Sequence, residues 1–178
     1  HVTLHSSQHG FRKLHSTNTA LAHITHDIST GFNQRKPPHR TIIVMIDLQA
    51  AFDSVSHDLL TQKILQLPCN NCIKRWICNY IRGRQATVNY LNATSCTASV
   101  KTGVVQGGVL SPMLFNLYVS DLPAPPEGVK VISYADDFTC YSSHHNLTHM
   151  ENLLNPYVSL LTDYFKSLHL HTSETKST

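Results

Sequence analysis

The chain has 178 residues, 41% of them hydrophobic and 14% charged, with 13 His and a formal net charge of +3. That length allows one domain with a sizeable core, and the mild basicity permits nucleic-acid binding without demanding it. No run approaches about 18 consecutive apolar residues, which excludes a membrane-spanning helix, and His1 to Arg12 lacks the apolar centre of a secretory signal.

Ser16 or Thr17 is placed to cap a first helix that runs to about Gly31, with Leu21, Ile24 and Ile28 on one face. A basic loop through Arg35, Lys36, Pro37 and Pro38 follows. Thr41 to Leu48 is a continuous β-branched and apolar run, the pattern of a strand buried on both faces. A helix starting at Ser56 or Asp58 carries Leu59, Leu60, Ile64 and Leu67 and stops at Pro68. Another, over Asn71 to Ile81, carries Ile73, Trp76, Ile77 and Tyr80 and ends in the basic Arg82-Gly83-Arg84, with Gly at the C-cap.

Gln85 to Leu91 and Thr97 to Thr102 alternate as a hairpin would, and Ser111-Pro112 opens a helix bearing Met113, Leu114, Leu117 and Val119. Val129 to Ser133 and Phe138 to Tyr141 form a second hairpin with Tyr134-Ala135-Asp136-Asp137 at its tip. Leu147 to about Leu168 reads as an amphipathic helix that Pro156 kinks or splits. The mixture is α+β, in one domain. Five scattered Cys suit free thiols in a reducing compartment, with Cys69 and Cys72 as loop residues rather than half of a zinc site. The absence of an initiator Met leads us to expect a piece of a longer polypeptide.

Adjacent carboxylates at a hairpin tip repel one another, and a bound divalent cation removes that penalty. With Asp47 at the end of the neighbouring apolar strand, the layout is that of a two-metal phosphoryl-transfer site. Asp53 suits helix capping at least as well as metal ligation, and Phe52 taken alone would be a core residue at a strand-to-helix junction. Arg35, Lys36, Arg40, Lys74, Arg75, Arg82 and Arg84 are candidate phosphate contacts, a solvated face being the default for each.

Four blocks occur in one order: Gln8-His9-Gly10-Phe11-Arg12, Ile46-Asp47 to Phe52-Asp53, Gly103 to Pro112, and Tyr134-Ala135-Asp136-Asp137. From about Gln8 to Lys176 the chain resembles the reverse transcriptase of non-LTR (LINE-type) retrotransposons, closest to the jockey-like group. The resemblance implies a right-hand polymerase palm, an antiparallel sheet backed by helices, with part of the fingers in residues 1–40 and the palm in 41–178. It implies an RNA-directed DNA polymerase, with Asp47, Asp136 and Asp137 holding two Mg²⁺ ions, for which Mn²⁺ could substitute. Phe52 would lie under the deoxyribose. Arg12, with Lys13 as an accessory, and Leu48, Gln106 and Gly107 would bind and position nucleotide and template.

The implied partners are an RNA template, a DNA primer, dNTPs and the remainder of a polyprotein, including a thumb and an endonuclease. The implied location is the cytoplasm and nucleus, as the element's ribonucleoprotein. Three positions depart from the pattern: Leu14 stands for Gly, Val105 for Pro and Glu174 for Lys, with Lys176 two positions on. They favour an alternative, a catalytically inactive nucleic-acid-binding remnant. Another palm polymerase, of group II intron or viral RNA-dependent RNA polymerase type, is the rival within the enzymes, and Phe52 argues against the latter.

Overall fold

The structure, a computed structural model, describes residues 7–34 and 36–173. Arg35, Glu174 and Lys176 therefore lie outside the described residues. In chain order the elements are α1 (Thr17–Phe32), β1 (Arg40–Gln49), α2 (His57–Gln66), α3 (Asn71–Ile81), β2 (Gln85–Ala86), β3 (Asn89–Tyr90), β4 (Ala93–Thr94) and β5 (Ala98–Ser99). They continue with α4 (Ser111–Tyr118), β6 (Val129–Tyr134), β7 (Asp137–His144), α5 (Leu147–Ser167) and β8 (His171–Thr172).

A four-stranded antiparallel sheet, in the order β6-β7-β1-β8, organises the molecule. Side chains alternate across a strand, so Ile42, Val44, Ile46 and Leu48 of β1 share a face with Phe138 and Cys140 of β7. That face packs on α2, α4 and α5 to make the main core, where Leu60, Ile64, Phe115, Leu161 and Phe165 are fully buried. The opposite face carries Ile43, Met45, Asp47 and Tyr141. It is covered in part by α1, through Ala20 and Ile24 against Ile132 and Tyr141.

Burial of β1 on both faces is thus corrected. Ile43 is 37% and Met45 53% exposed, because only one face of this antiparallel sheet is fully backed by helices. The inner stripe of α1 is corrected too. It runs through Ala20, Ile24 and Gly31, while Leu21 faces solvent, because small residues let the helix lie close against the sheet face.

Pro156 does not divide α5, and Met150, Leu154, Tyr157, Leu161 and Phe165 form one buried stripe through it. Packing along 21 residues outweighs the lost backbone donor. The exposed hairpin is longer than expected. It turns at Leu91, which has φ +51°, and its second arm begins at Ala93 instead of Thr97. Between its two ladders one arm advances from Ala86 to Asn89 and the other from Thr94 to Ala98, so one residue is bulged. Gly83, φ +66°, follows α3 in the left-handed conformation expected there. The short edge strand β8 was not legible in the sequence.

Candidate active site

β1 and β7 pair antiparallel from Arg40↔His144 to Asp47↔Asp137. The last rung sets Asp47 and Asp137 directly opposite one another on the same face. Asp136 occupies the two-residue turn between Tyr134 and Asp137, which themselves pair across the hairpin. Three carboxylates from two sequence-distant blocks therefore gather at one end of the sheet. Asp47 and Asp136 are half-buried and Asp137 is exposed.

Hard carboxylate oxygens suit Mg²⁺, and Mg²⁺ sites commonly use a few carboxylates with water and substrate phosphates instead of an all-protein cage. Among the described residues no three His, Cys, Asp or Glu side chains converge into such a cage.

After β1 the chain reverses at Ala50, φ +44°, whose carbonyl accepts from the amides of Asp53 and Ser54 at 2.9 Å each. This turn carries Phe52 onto Phe115, with ring centroids 4.8 Å apart and planes at 21°. Phe52 stays half-buried above a ring that is fully buried, an apolar shelf five residues after Asp47 in the chain. The Leu48 side chain is 3% exposed and belongs to the core, because strand alternation turns it away from the face that carries Asp47, which leaves its backbone for any contact with a nucleotide.

The Gly103 block pairs with this same turn. Val104 N donates to Phe52 O and Gly103 N to Val55 O, both at 2.8 Å. Gly103 has φ +84°, and a Cβ there would lie 2.9 Å from Asp53 Cα, so both the conformation and the approach require glycine. Gln106 Nε2 consequently donates to Asp53 Oδ2 at 2.8 Å. Asp53 is not a helix cap; the Ser56 side chain caps α2. Gly107, φ +77°, is exposed with open space where a side chain would stand.

Arg12 comes to the site through the segment before it. Residues 7–9 run beside β6 as a strap, with His9 N on Ser133 O at 2.8 Å and Ser133 N on Ser7 O at 2.9 Å. A Cβ on Gly10 would fall 2.4 Å from Ala135 N. Phe11 lies against Tyr134, centroids 6.5 Å apart. Arg12, half-buried, donates to Gln8 O at 3.4 Å, two residues after the Gly10 that abuts Ala135. Lys13 is exposed. Burial, then His15, His23 and Arg12, lower the pKa of His9 and favour its neutral ring.

Several basic residues are engaged internally. Arg82 pairs with Asp58 at 2.9 Å, Lys74 donates to Leu65 O at 2.9 Å, and Arg84 donates to the carbonyls of Ile81 and Gly103. His57, 8% exposed, meets the same Gly103 carbonyl at 2.8 Å. Arg84 and His57 thus hold the Gly103 bend, a role that charge alone did not reveal. Asn116, a polar residue inside the apolar run of α4, is 2% exposed and donates to Gly10 O at 2.9 Å. Its only sequence signal was that isolated polarity among core residues.

The family described as reverse transcriptase (RNA-dependent DNA polymerase) matches residues 1–178. The chain is 31% identical over 169 residues to the probable RNA-directed DNA polymerase from transposon BS of Drosophila melanogaster, covering 89% of this chain and 18% of that protein. It is 27% identical over 167 residues to the RNA-directed DNA polymerase from mobile element jockey of Drosophila funebris, covering 88% and 18%. It therefore spans about a fifth of the length of these relatives. Among solved structures, telomerase from Candida tropicalis in complex with the TWJ fragment of telomeric RNA superposes with a TM-score of 0.71 at 15% identity. That match covers 97% of this chain and 30% of the telomerase. Telomerase from Candida albicans, with the corresponding RNA fragment, gives a TM-score of 0.68 at 12% identity over 92% of this chain and 30% of that one. The fold is the α+β palm of such polymerases, and the chain belongs to the reverse transcriptase (RNA-dependent DNA polymerase) family, as the reverse transcriptase domain of a non-LTR retrotransposon.

Proposed function

We propose that this domain is the palm of an RNA-directed DNA polymerase, with residues before about 40 contributing to the fingers. The reaction would be in-line attack of a DNA primer 3′-hydroxyl on the α-phosphate of a dNTP, templated by RNA, with pyrophosphate leaving. The observation that carries this reading is the rung Asp47↔Asp137, with Asp136 in the adjoining turn. Reverse transcriptases generally use divalent metal ions; here Asp47, Asp136 and Asp137 would hold two Mg²⁺, with Mn²⁺ a possible substitute. When bound, such ions supply a lowered pKa for the attacking hydroxyl and neutralise charge on the triphosphate.

The remaining work falls to the chain itself. Phe52, set against Phe115, would form a flat wall beneath the sugar, where a 2′-hydroxyl would clash. The planar guanidinium of Arg12 would grip triphosphate oxygens. Gln106, held by Asp53, would position the nucleotide against the template base, and Gly107 would let backbone come close. In the parent polypeptide a thumb and an endonuclease would supply the grip on primer and template, and the whole would act as a ribonucleoprotein in cytoplasm and nucleus.

The test is primer extension by a chimera carrying these residues in the scaffold of an active relative, with an RNA template, dNTPs and Mg²⁺. Extension is expected, and Asp136→Ala should lower it by about a thousandfold or more, several kcal/mol of lost charge stabilisation. A silent chimera in an otherwise competent scaffold would reject the reading. It would favour the second one, an inactive nucleic-acid-binding remnant, which one observation supports. Leu14, where the family has Gly, is held at φ +65°, so a glycine conformation is imposed on a side chain that resists it.

A further inference from the structure

The tip of the acidic hairpin is strained. Ala135 has φ +58°, a left-handed conformation that a non-glycine residue keeps only when its surroundings over-determine it. The surroundings here are a buried polar relay. Ser133 Oγ donates to Gln8 Oε1, Gln8 Nε2 donates to Asn116 Oδ1, and Asn116 Nδ2 donates to Gly10 O at 2.9 Å. Gly10 in turn sits so close to the Ala135 amide that no side chain would fit between them. Ser133, Gln8 and Asn116 are 3%, 4% and 2% exposed. Among the described residues no buried side-chain polar atom is left without a partner.

Such a relay has a cost relative to an apolar core unless every member is satisfied, and it then specifies one geometry. It also joins three blocks of the site. Gln8 belongs to the strap that leads to Arg12, Ser133 to the strand entering the carboxylate turn, and Asn116 to the helix that follows Gln106 and Gly107.

We infer that Asn116 is a positioning residue: through Gly10 and Gln8 it clamps the strap onto Ala135 and so sets where the carboxylates of Asp136 and Asp137 lie. The inference rests on the metal-holding role proposed above for those carboxylates. Removing the Asn116 amide leaves Gly10 O and Gln8 Nε2 with only their long mutual hydrogen bond of 3.5 Å, lets the turn relax towards an ordinary conformation, and spreads the carboxylates over several positions.

The test is Mn²⁺ binding to the 178-residue chain, followed by the electron paramagnetic resonance of free Mn²⁺, with thermal melting alongside. Asp136→Ala should abolish site binding. Asn116→Ala should weaken it by about tenfold or more, the range seen when outer-shell partners of metal ligands are removed. In the chimera the same variant should raise the half-saturating Mg²⁺ concentration, with primer–template affinity unchanged and extension recovering in excess Mg²⁺, which a merely loosened fold would not do. If Asn116→Ala loses its cooperative melt, Ser133→Ala, which removes one hydroxyl from the relay, carries the same readout. Unchanged Mn²⁺ affinity in folded Asn116→Ala and Ser133→Ala, with Asp136→Ala inactive in binding, would overturn the inference alone. Absence of Mn²⁺ binding in the unsubstituted chain would reject the metal-holding role and the inference with it.

Discussion

The carboxylate end of the central sheet and the hairpin of β2 to β5 are both antiparallel, yet they are built in opposite ways. The first has long ladders, eight paired positions between β1 and β7 and six between β6 and β7. It has a core of fully buried side chains beneath it and a buried polar strap across its turn. The second has ladders of two rungs each, a bulge between them, and exposed residues from Gln85 to Ser99. A reaction that needs carboxylates held to fractions of an ångström requires the first kind of support. A two-stranded ribbon with no buried face has little to fix its position.

The contrast can be broken most severely at Phe115, which is fully buried under Phe52 and inside the main core. Phe115→Ala should cost about 3–5 kcal/mol in denaturant unfolding, and a loss under about 1 kcal/mol would mean that the shelf under Phe52 is not rigid. Leu14→Gly should act in the other direction. Relief of the left-handed conformation is offset in part by glycine's greater backbone entropy, leaving a gain of about 1 kcal/mol. A fall in stability would show that the backbone is not strained at Leu14.

Asp27 offers a milder test, since it ties α1 to the sheet through Lys130 at 2.7 Å and Tyr141 at 2.6 Å. Burial alone would raise its pKa, but the hydrogen bonds from Lys130 and Tyr141 outweigh it and the net shift is downward. A carboxyl depressed on folding contributes stability that is present above its unfolded pKa and lost as pH falls through the folded one. Stability should therefore decline below about pH 4, the ordinary range for Asp, and Lys130→Met should flatten that decline and remove at most about 1 kcal/mol at neutral pH. An unaltered acid limb in Lys130→Met would discard the pairing. The smallest effect belongs to the outer hairpin: Tyr90→Ala, at a site 75% exposed, should change stability by no more than about 0.5 kcal/mol. A larger loss would give that hairpin a packing partner and narrow the contrast.

Much of this architecture could be read before any coordinates. The helices at Asn71–Ile81 and from Ser56 were legible because caps, prolines and apolar spacing are local signals. The acidic pair at the turn and the carboxylate after the apolar strand were legible because adjacent charges beside β-formers demand an explanation. Misreadings arose where local pattern meets several tertiary answers. An unbroken apolar run in β1 is compatible with one covered face or two, and the sheet has only one fully backed face. Pro156 weakens a helix locally, but a buried stripe through 21 residues holds it continuous. β8 has too few residues to carry a period, and it forms because β1 offers it an open edge.

Residue identity was thus enough to establish the family, the fold class and the acidic residues, since those depend on composition and order along the chain. Register and long-range packing decided the rest. Asp47 meets Asp137 only because β1 and β7 pair in one register, and a slip of one residue would turn one of them to the other face. The Leu48 side chain turns into the core, Gln106 finds Asp53, and Asn116 reaches Gly10 across 106 positions of sequence. Contacts at such separations leave no periodic trace in the chain; they exist only where packed elements bring their surfaces together.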